Sequence, residues 1–433
     1  MRLTILNQFF YPDHSATSQL MTELAQNLGE HGFEVTALAS RGRYNGGGAL
    51  PPRENYSGVR IERAWATSFG KTCLPGRLAD YLTFYLAAFW RLLTLPRQDV
   101  VMALTTPPLI GLIALIVGRL RGIRFVALME DLYPDVAVAL GVVSPKSLLA
   151  RLLDWLTRMM LKHADRIIVL GDCMLERVVA KVGAEARRRI DVIHNWADGE
   201  EIVPLECGKN GFFTERGLAN LNDKFVVLFS GNLGLVNEFS TVLEAAHSLR
   251  ARSDIVFVFI GEGSRSAEIR SFVNENGLDN VRMLPYQPRE TLRRSLASGD
   301  AMLITLAEGL AGLSVPSKTY SGLAAGRPLL FVGDQRSCVA RLIRQNDCGA
   351  TVAGGESGRL AEIIAGWAED RGEAIRLGGG ARALFEQRFD RRVAVESYVE
   401  SLTTCLNGAA QSVEISAPET PPIKAVDTKE SVF

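Results

Sequence analysis

The chain of 433 residues is too long for one hydrophobic core and suits two domains of ordinary size. Lysine plus arginine equals aspartate plus glutamate, at 48 each, so the charge gives no support to a nucleic-acid-binding protein. The six cysteines form no CxxC pair and no zinc-type spacing, which indicates reduced thiols. The longest apolar run, Leu109–Val117, is about half of the ~20 residues that span a bilayer. With no apolar signal segment before the first strand, we expect a cytoplasmic protein.

In the first half of the chain, short apolar strands alternate with helix-length segments. A strand at Leu3–Leu6 is followed by a helix whose apolar residues share one face and which Gly32 terminates. The glycine- and proline-rich segment Tyr44–Tyr56 is predicted to be a surface loop. Alternation of this kind predicts a parallel, doubly wound sheet. Its further strands are predicted at Val35–Ala39, Val59–Trp65, Val100–Leu104, Phe125–Met129, Ile167–Leu170 and Val192–Ile193.

The same alternation restarts in the second half of the chain. We therefore predict an α/β protein with two Rossmann-like domains, 1–198 and 199–390, whose strand carboxyl ends face a central cleft. The amphipathic helix 391–406 is predicted to pack back on the first domain, and the polar segment 408–433 is predicted to be disordered. The second set of strands is predicted at Phe225–Phe229, Ile255–Ile260, Val281–Leu284, Ala301–Leu306 and Leu329–Val332.

The stretch VPSKTYSGLAAGRPLLFV, residues 315–332, has the pattern of a helix followed by a strand. Pro316 takes the predicted first helical position, and Gly326 follows the last. Ser317, Lys318 and the free amides of the first turn would then lie at the open edge of a parallel sheet, where they favour a diphosphate. The alternative is an ordinary buried helix with a capped N-terminus.

Four segments carry a resemblance to a known family, in the right order and spacing. They are Asn7–Leu38, Met129–Val143 (MEDLYPDVAVALGVV), His194–Asp198 (HNWAD) and the stretch around Lys318. Over roughly residues 1–406 the chain resembles the retaining family 4 glycosyltransferases of the GT-B fold. Within them it is similar to the colanic-acid and N-acetylfucosamine transferase type, which builds bacterial exopolysaccharide and O-antigen repeat units on a lipid carrier. The resemblance implies a UDP- or GDP-linked sugar donor and a polyprenyl-diphosphate-linked saccharide acceptor.

The resemblance also implies where the donor binds. The predicted contacts include Lys318, which would stabilise the departing diphosphate, and Arg265, a weaker source of positive charge. The turn SGNLG and the loop beside Pro285 have a plain alternative, in which each simply connects two elements. The remaining predicted donor-binding residues are Ser15, Ala16, Gly231, Asn232, Tyr286, Gln287, Pro316, Ser317 and Ser321.

Several positions depart from the family pattern. The family's two glutamates correspond to Leu313 and Ser321, while Glu308 lies outside that register and is held only as a candidate. The family's basic pair corresponds to Asn232 and Glu238, neither of which is basic. The positive charge for the donor phosphates must therefore come from elsewhere.

Glu130 and Asp131 are the predicted catalytic carboxylates, together with Lys318. They follow a strand whose carboxyl end is expected to face the cleft, and Glu130 stands near where many relatives have a histidine that contacts the transferred sugar. The alternative is a pair of surface or capping carboxylates. The chain has no Asp-x-Asp, and together with the GT-B resemblance this favours a metal-independent route, so we expect no metal ion and no cofactor. The resemblance implies front-face displacement, in which the leaving phosphate helps to deprotonate the acceptor.

The segment Leu148–Lys162 (LLARLLDWLTRMMLK) reads as a basic amphipathic helix. Basic helices with tryptophan lie on anionic bilayers, so we expect peripheral binding to the inner face of the plasma membrane. The alternative is a core-facing helix with a solvated charged side. The apolar side is predicted from Leu149, Leu152, Leu153, Leu156 and Met160, and the basic side from Arg151, Arg158 and Lys162.

Three other functions stay open at this point. A GT-B nucleotide-sugar 2-epimerase breaks the same bond without an acceptor, although five histidines give little support to a histidine-rich cleft. A non-catalytic scaffold of a polysaccharide assembly complex would account for the missing glutamate and basic pair. The fold alone would also allow a generic nucleotide-binding protein.

Overall fold

The computed structural model describes residues 1–13, 15–43, 48–69, 74–205 and 210–407, and within them two parallel sheets are flanked by helices. The first domain contains β1 (Arg2–Leu6), β2 (Glu34–Ser40), β3 (Arg53–Tyr56), β4 (Val59–Ala64), β5 (Val100–Ala103), β6 (Arg124–Met129), β7 (Arg166–Val169) and β8 (Ile190–Val192). Its helices are α1 (Ala16–Glu30), α2 (Leu74–Thr94), α3 (Gly111–Arg121), α4 (Asp135–Ala139), α5 (Leu148–His163) and α6 (Asp172–Val182).

The second domain repeats the alternation. Its strands are β9 (Phe225–Ser230), β10 (Ile255–Ile260), β11 (Val281–Leu284), β12 (Ala301–Leu306), β13 (Leu329–Gly333) and β14 (Gly349–Val352). The helices that follow in chain order are α7 (Ser240–Ser248), α8 (Ser266–Glu275), α9 (Leu292–Leu296), α10 (Lys318–Ala324), α11 (Cys338–Asn346), α12 (Ser357–Glu369), α13 (Arg371–Arg388) and α14 (Arg391–Asn407).

Strand order confirms the predicted pair of Rossmann-like domains. The first sheet runs β3-β4-β2-β1-β5-β6-β7-β8, with only β3 antiparallel to its neighbour, and the second runs β11-β10-β9-β12-β13-β14, all parallel. In each sheet the order reverses at one point, between β1 and β5 in the first and between β9 and β12 in the second. Ligands of open α/β sheets bind outside the strand carboxyl ends at such switch points.

The strands are buried on both faces, as their continuous apolar runs predict. Every residue of β10 (IVFVFI) is buried, because α7 and α8 cover one face of the sheet and other helices cover the second. Helix α14 leaves the second domain and packs on the first, where Val395, Tyr398 and Leu402 share a core with Leu3 and Ile5. The segment 408–433, predicted to be disordered, lies outside the described residues.

Two edge strands carry no apolar pattern, and the sequence analysis missed both. Part of the predicted loop before Tyr56 is β3, RENY, which pairs with β4 and is held by charge. The buried carboxylate of Glu62 on β4 binds Arg53 at 3.3 Å, and also Arg60 and Arg91. The second missed strand, β14, is a short, half-buried edge strand. Ion pairing and edge position, unlike core burial, leave no period-two apolar signal.

Candidate active site

The carboxyl ends of the two sheets face each other across the domain boundary. Beyond β6, the backbone N–H of Leu132 donates to the carbonyl of Leu313, in the loop between β12 and α10, at 2.9 Å. At another point of the boundary the guanidinium of Arg289 binds the carboxylate of Glu23 on α1 at 2.6 Å. The two contacts bring the switch points together around one cleft.

The side chain of Lys318, at the start of α10, reaches the turn that follows β9. A Cβ placed on Gly231 would lie 2.8 Å from Cε of Lys318, so only glycine, here at φ +133°, leaves room for the lysine. The ammonium lies 4.7 Å from the centre of the Phe229 ring. No carboxylate in the described parts of the chain forms an ion pair with it. Lys318 therefore holds a charge without a described counter-ion at the switch point of the second sheet.

The protonation state of Lys318 depends on what occupies the cleft. The side chain is half-buried, and burial lowers the pKa of its ammonium to about 8. A diphosphate bound beside it would raise that pKa again, because a neighbouring negative charge favours the protonated form. The empty site is thus expected to lose its positive charge as the pH rises through about 8.

Helix α10 is shorter than predicted. It begins at Lys318, with Ser317 at the N-cap and Pro316 before the helix, so the prediction that Pro316 opens the helix is wrong. Its seven residues, without a side-chain cap, give only a short dipole, and the full charge of Lys318 outweighs it. Ser321 Oγ donates to the backbone carbonyl of Lys318 at 3.1 Å, within the helix. A hydroxyl used in this way does not replace the carboxylate of the family's second glutamate.

Glu130, the first residue after β6, has an environment unlike that of a surface carboxylate. Its Oε1 atom is buried and has no hydrogen-bond partner in the part of the chain that is described, while Oε2 accepts from Nδ2 of Asn195 at 3.2 Å. Burial raises the pKa of Glu130 to about 7, the Asn195 bond opposes the shift, and the charge of Asp131 adds to it. A carboxyl group with a pKa near 7 can give or take a proton at neutral pH.

Asp131 has a different setting from Glu130, because it connects the two domains. Its backbone N–H donates to Oγ1 of Thr105 at 3.3 Å, and it forms an isolated antiparallel bridge with Ser314. Burial raises the pKa of Asp131, and a hydrogen bond from Ser314 to the carboxylate opposes the shift. These contacts place Asp131 at the boundary between the two domains, and its predicted contact with sugar or acceptor stays a prediction.

The turn after β9 contains both positions where the family's basic pair is replaced. Asn232 is exposed, and its carbonyl accepts from Nδ2 of the buried Asn237 at 3.1 Å. Glu238 accepts from the backbone N–H of Thr241 at 3.1 Å and from the hydroxyl of Ser240. It caps the first turn of α7, so this position serves the fold and brings no cation to the cleft.

Arg265, the second cation expected to face the donor, is already paired. Its guanidinium donates to Glu268 at 2.5 and 2.8 Å and to the carbonyl of Asn237 at 2.7 Å. In the loop predicted to contact the base, the half-exposed Tyr286 donates to the carbonyl of Glu262 at 3.2 Å. Gln287 accepts from Nε of Arg216 at 2.8 Å. With Arg265 neutralised, Lys318 is the predicted donor-site cation that remains available to a diphosphate.

Ser15 and Ala16 lie at the switch point of the first sheet, where the family has glycines. Ser15 is the N-cap of α1, with its Oγ accepting from the backbone N–H of Ser18 at 3.3 Å, and Ala16 is exposed in the first turn. Their position after β1 is compatible with the predicted donor contact, which stays a prediction.

Asn195 is the residue of this site that sequence reasoning missed. It belongs to the HNWAD motif, in which His194 and Trp196 pack against other side chains. His194 lies edge-on to Phe389 with ring centres 5.1 Å apart, and Trp196 is buried. The motif drew attention to the segment that contains Asn195. It could not predict the contact with Glu130, because Glu130 is 65 positions away in the sequence.

Known proteins share this architecture. Over 311 residues the chain is 28% identical to the probable glycosyltransferase WbjE of Pseudomonas aeruginosa, covering 72% of this chain and 76% of that protein. It is 25% identical to the putative colanic acid biosynthesis glycosyl transferase WcaI of Escherichia coli, with coverage of 75% and 82%.

Solved structures share the fold at low sequence identity. Sucrose-phosphate synthase from Thermosynechococcus elongatus superposes with a TM-score of 0.74 at 14% identity, covering 93% of this chain and 98% of that one. Anabaena HepE in complex with UDP-glucose superposes with a TM-score of 0.70 at 14% identity, with coverage of 93% and 99%.

Two family models match successive parts of the chain, one for each sheet. The first, described as a glycosyl transferase 4-like domain, matches residues 16–196, and the second, described as glycosyl transferases group 1, matches residues 213–383. Together with the paired Rossmann-like sheets and the facing switch points, these matches assign the chain. It is a glycosyltransferase of family 4 and has the GT-B fold.

Proposed function

We propose that the chain transfers a sugar from a UDP- or GDP-linked donor to a polyprenyl-diphosphate-linked saccharide, with retention of configuration, in bacterial exopolysaccharide or O-antigen synthesis. The observation that carries the proposal is Lys318, a half-buried cation without a described counter-ion at the switch point of the second sheet. The name of WcaI supports the polysaccharide role, and the complex of HepE with UDP-glucose supports a nucleotide-sugar donor.

The chemistry follows from the two sides of the cleft. Breaking the bond to the nucleotide makes the diphosphate more negative, and the ammonium of Lys318 would stabilise that growing charge. Gly231 leaves room for the lysine. Glu130, on the facing domain, would contact the transferred sugar or the acceptor hydroxyl. Its buried Oε1 has no partner among the described residues and can accept or donate a hydrogen bond according to protonation.

We expect transfer to continue in EDTA. The charge of Lys318 would stand where other enzymes use a bound Mg²⁺. Within the described ranges no three His, Cys, Asp or Glu side chains are grouped as metal ligands. The measurement is the rate of donor consumption after dialysis against chelator. A rate abolished by EDTA and restored by Mg²⁺ or Mn²⁺ would contradict the expectation.

The first domain exposes a large apolar surface, which we call the apolar helix face. Four residues of α2, spaced four apart, are each 57–62% exposed: Leu78, Leu82, Leu86 and Trp90. Helix α3 packs on both α2 and α5 and adds to the face, so α3 is not simply a buried helix. Its further members are Ile116 and Leu120 of α3 and Leu148, Leu149, Leu152 and Trp155 of α5.

The apolar helix face fits a bilayer surface. Soluble monomers rarely expose a contiguous apolar patch of this kind. Arg151 and Lys162 are exposed on α5, so cations accompany the leucines, which favours anionic lipid. None of the described helices is long and apolar enough to cross a membrane. We propose that this face binds the cytoplasmic leaflet of the plasma membrane.

The structure corrects the expected roles of two α5 residues. Arg158 binds Asp154 at 2.6 Å and donates to the carbonyl of Lys181 at 2.6 Å, so its charge serves the fold. Met160 is buried, which means that the predicted apolar stripe of α5 enters the core at its C-terminal end.

Replacing Leu82 and Leu86 together with glutamate is expected to weaken binding to anionic liposomes at least tenfold. Each leucine loses apolar burial worth up to about 1.5–3 kcal/mol, and the new charges repel the lipid. The measurement is co-sedimentation with vesicles of phosphatidylcholine and phosphatidylglycerol. Ile375→Glu, at an apolar position on α13 that is 74% exposed, is the control and should bind as wild type. Unchanged vesicle binding, with a change only in oligomeric state, would assign the face to self-association.

The proposed activity is tested by donor turnover over a panel of UDP- and GDP-sugars, with and without a polyprenyl-diphosphate-linked saccharide. We expect one donor to be consumed, and only when the acceptor is present. Consumption without an acceptor would favour a 2-epimerase. If the protein binds a nucleoside diphosphate but turns over none of the donors, a non-catalytic scaffold would be favoured.

A further inference from the structure

A pocket of about 410 Å³ lies beside the cleft, between helices α4 to α6 of the first domain and the loop between β12 and α10. Pro134 and Leu313 are among its lining residues, and Leu313 also accepts the interdomain hydrogen bond from Leu132. Glu130 precedes Pro134 by four residues, so their Cα atoms are at most about 14 Å apart. The pocket is therefore separated from the candidate catalytic carboxyl by no more than the length of a short saccharide.

The charged groups of the pocket leave an excess of positive charge. Arg151 and Arg177 both line it, and neither guanidinium forms an ion pair in the described parts of the chain. Two carboxylates also line it, but Lys181 binds both, Asp135 at 2.8 Å and Asp154 on α5. Arg158 also binds Asp154, so two cations offset the two carboxylates, while the guanidiniums of Arg151 and Arg177 stay available to an anion. Arginine binds phosphate oxygens with two parallel hydrogen bonds.

The rim of the pocket is apolar. Leu148 stands one turn before Arg151 on the same side of α5 and is 81% exposed. Val142, in the segment before α5, is 64% exposed. Leu148 also belongs to the apolar helix face, so the rim continues into the surface proposed to contact lipid. An anion that fits both parts carries phosphate at one end and hydrocarbon at the other.

We propose that this pocket binds the diphosphate of the lipid-linked acceptor, with Arg151 and Arg177 contacting the phosphates and with Leu148 and Val142 contacting the first isoprene units. The inference rests on the proposed function, since it assumes a polyprenyl-diphosphate acceptor. It adds a second diphosphate site, on the first domain, to the donor site at Lys318. The acceptor saccharide would then extend from the pocket towards Glu130.

The test uses farnesyl diphosphate as a short, soluble probe, titrated calorimetrically into the full chain. We expect it to bind wild type, and the double variant Arg151→Ala/Arg177→Ala to bind at least tenfold more weakly. Farnesol, which lacks the phosphates, should not compete, and inorganic diphosphate should compete more weakly than farnesyl diphosphate. The matched control, Arg97→Ala/Arg188→Ala, removes two exposed arginines of the same domain outside the pocket and should bind as wild type.

Turnover gives the second measurement. In the pocket variant the KM for the lipid-linked acceptor should rise at least tenfold, while the KM for the nucleotide sugar stays unchanged. Wild-type affinity for farnesyl diphosphate in the pocket variant, or equally strong competition by inorganic diphosphate, would overturn the inference. The titration needs no turnover, so it tests the pocket even if the proposed transfer reaction fails. If wild type transfers sugar but the KM for the lipid-linked acceptor is unchanged in the pocket variant, the pocket inference is overturned and the transfer reaction stands.

Discussion

Replacing Lys318 with alanine is expected to lower kcat/KM about a hundredfold or more, the scale of losing one transition-state donor. Arg265 is bound to Glu268, so it cannot take over the positive charge of Lys318. The loss should appear in kcat as well as in KM, because the interaction strengthens as the leaving group gains charge. Lys318→Arg should recover only part of the activity, since the guanidinium is longer and planar and Gly231 leaves a narrow space.

The pH profile provides an independent check on Lys318. Because burial lowers the pKa of Lys318 to about 8, kcat/KM of wild type should fall as the pH rises through about 8. In Lys318→Arg this decline should move to higher pH, because arginine stays protonated. Lys224→Ala, a half-buried lysine elsewhere in the second domain, is the control and should keep the wild-type rate. A Lys318→Ala enzyme with near wild-type kcat/KM would contradict the donor site.

Replacing Glu130 with glutamine is expected to lower turnover about a hundredfold while stabilising the protein above pH 7. Burial raises the pKa of Glu130 to about 7 in the folded chain, whereas the unfolded chain releases this proton near the ordinary glutamate pKa of 4.5. The contribution of Glu130 to the free energy of unfolding is therefore fully present below about pH 4.5 and is lost as the pH rises through 7. At about 1.4 kcal/mol per pH unit, the variant gains up to about 3 kcal/mol at pH 8 and little at pH 4.5. Thermal unfolding at the two pH values measures the difference.

Glu62→Gln is the matched control, because Glu62 is also buried but lies outside the cleft. Burial tends to raise the pKa of Glu62, but Arg91 and Arg60 outweigh it and the pKa is lowered. The control should therefore lose stability at pH 8 and keep its activity. If Glu130→Gln is destabilised at pH 8, or if it transfers sugar at the wild-type rate, Glu130 has a structural role and not a catalytic one.

The main strands and the position of Lys318 could be predicted because short-range patterns specify them. Runs such as Ile255–Ile260 are apolar throughout, since parallel strands are buried on both faces. Lys318 falls at a strand–helix junction, and such junctions lie at the carboxyl edge of a parallel sheet. The sequence places Lys318 correctly even though it misplaces the start of α10 by two residues.

Contacts between distant parts of the chain could not be predicted. Arg265 and Glu268 are three residues apart, a local helical pairing that the sequence analysis overlooked, whereas the carbonyl of Asn237 that also binds Arg265 is 28 positions away. Asn195 and Glu130 meet because β6 and the segment after β8 end at the same edge of the sheet. No local pattern records this kind of pairing. The pocket beside α5 is likewise assembled from helices of one domain and a loop of the other.

The central claim is retaining transfer of one sugar to a lipid-linked acceptor. The most direct measurement is proton NMR of the acceptor saccharide, isolated after incubation with the donor that the panel identifies. The account predicts one added sugar whose anomeric configuration is the same as in the nucleotide donor. An acceptor recovered unchanged while the donor is consumed, or an added sugar of inverted configuration, would contradict it.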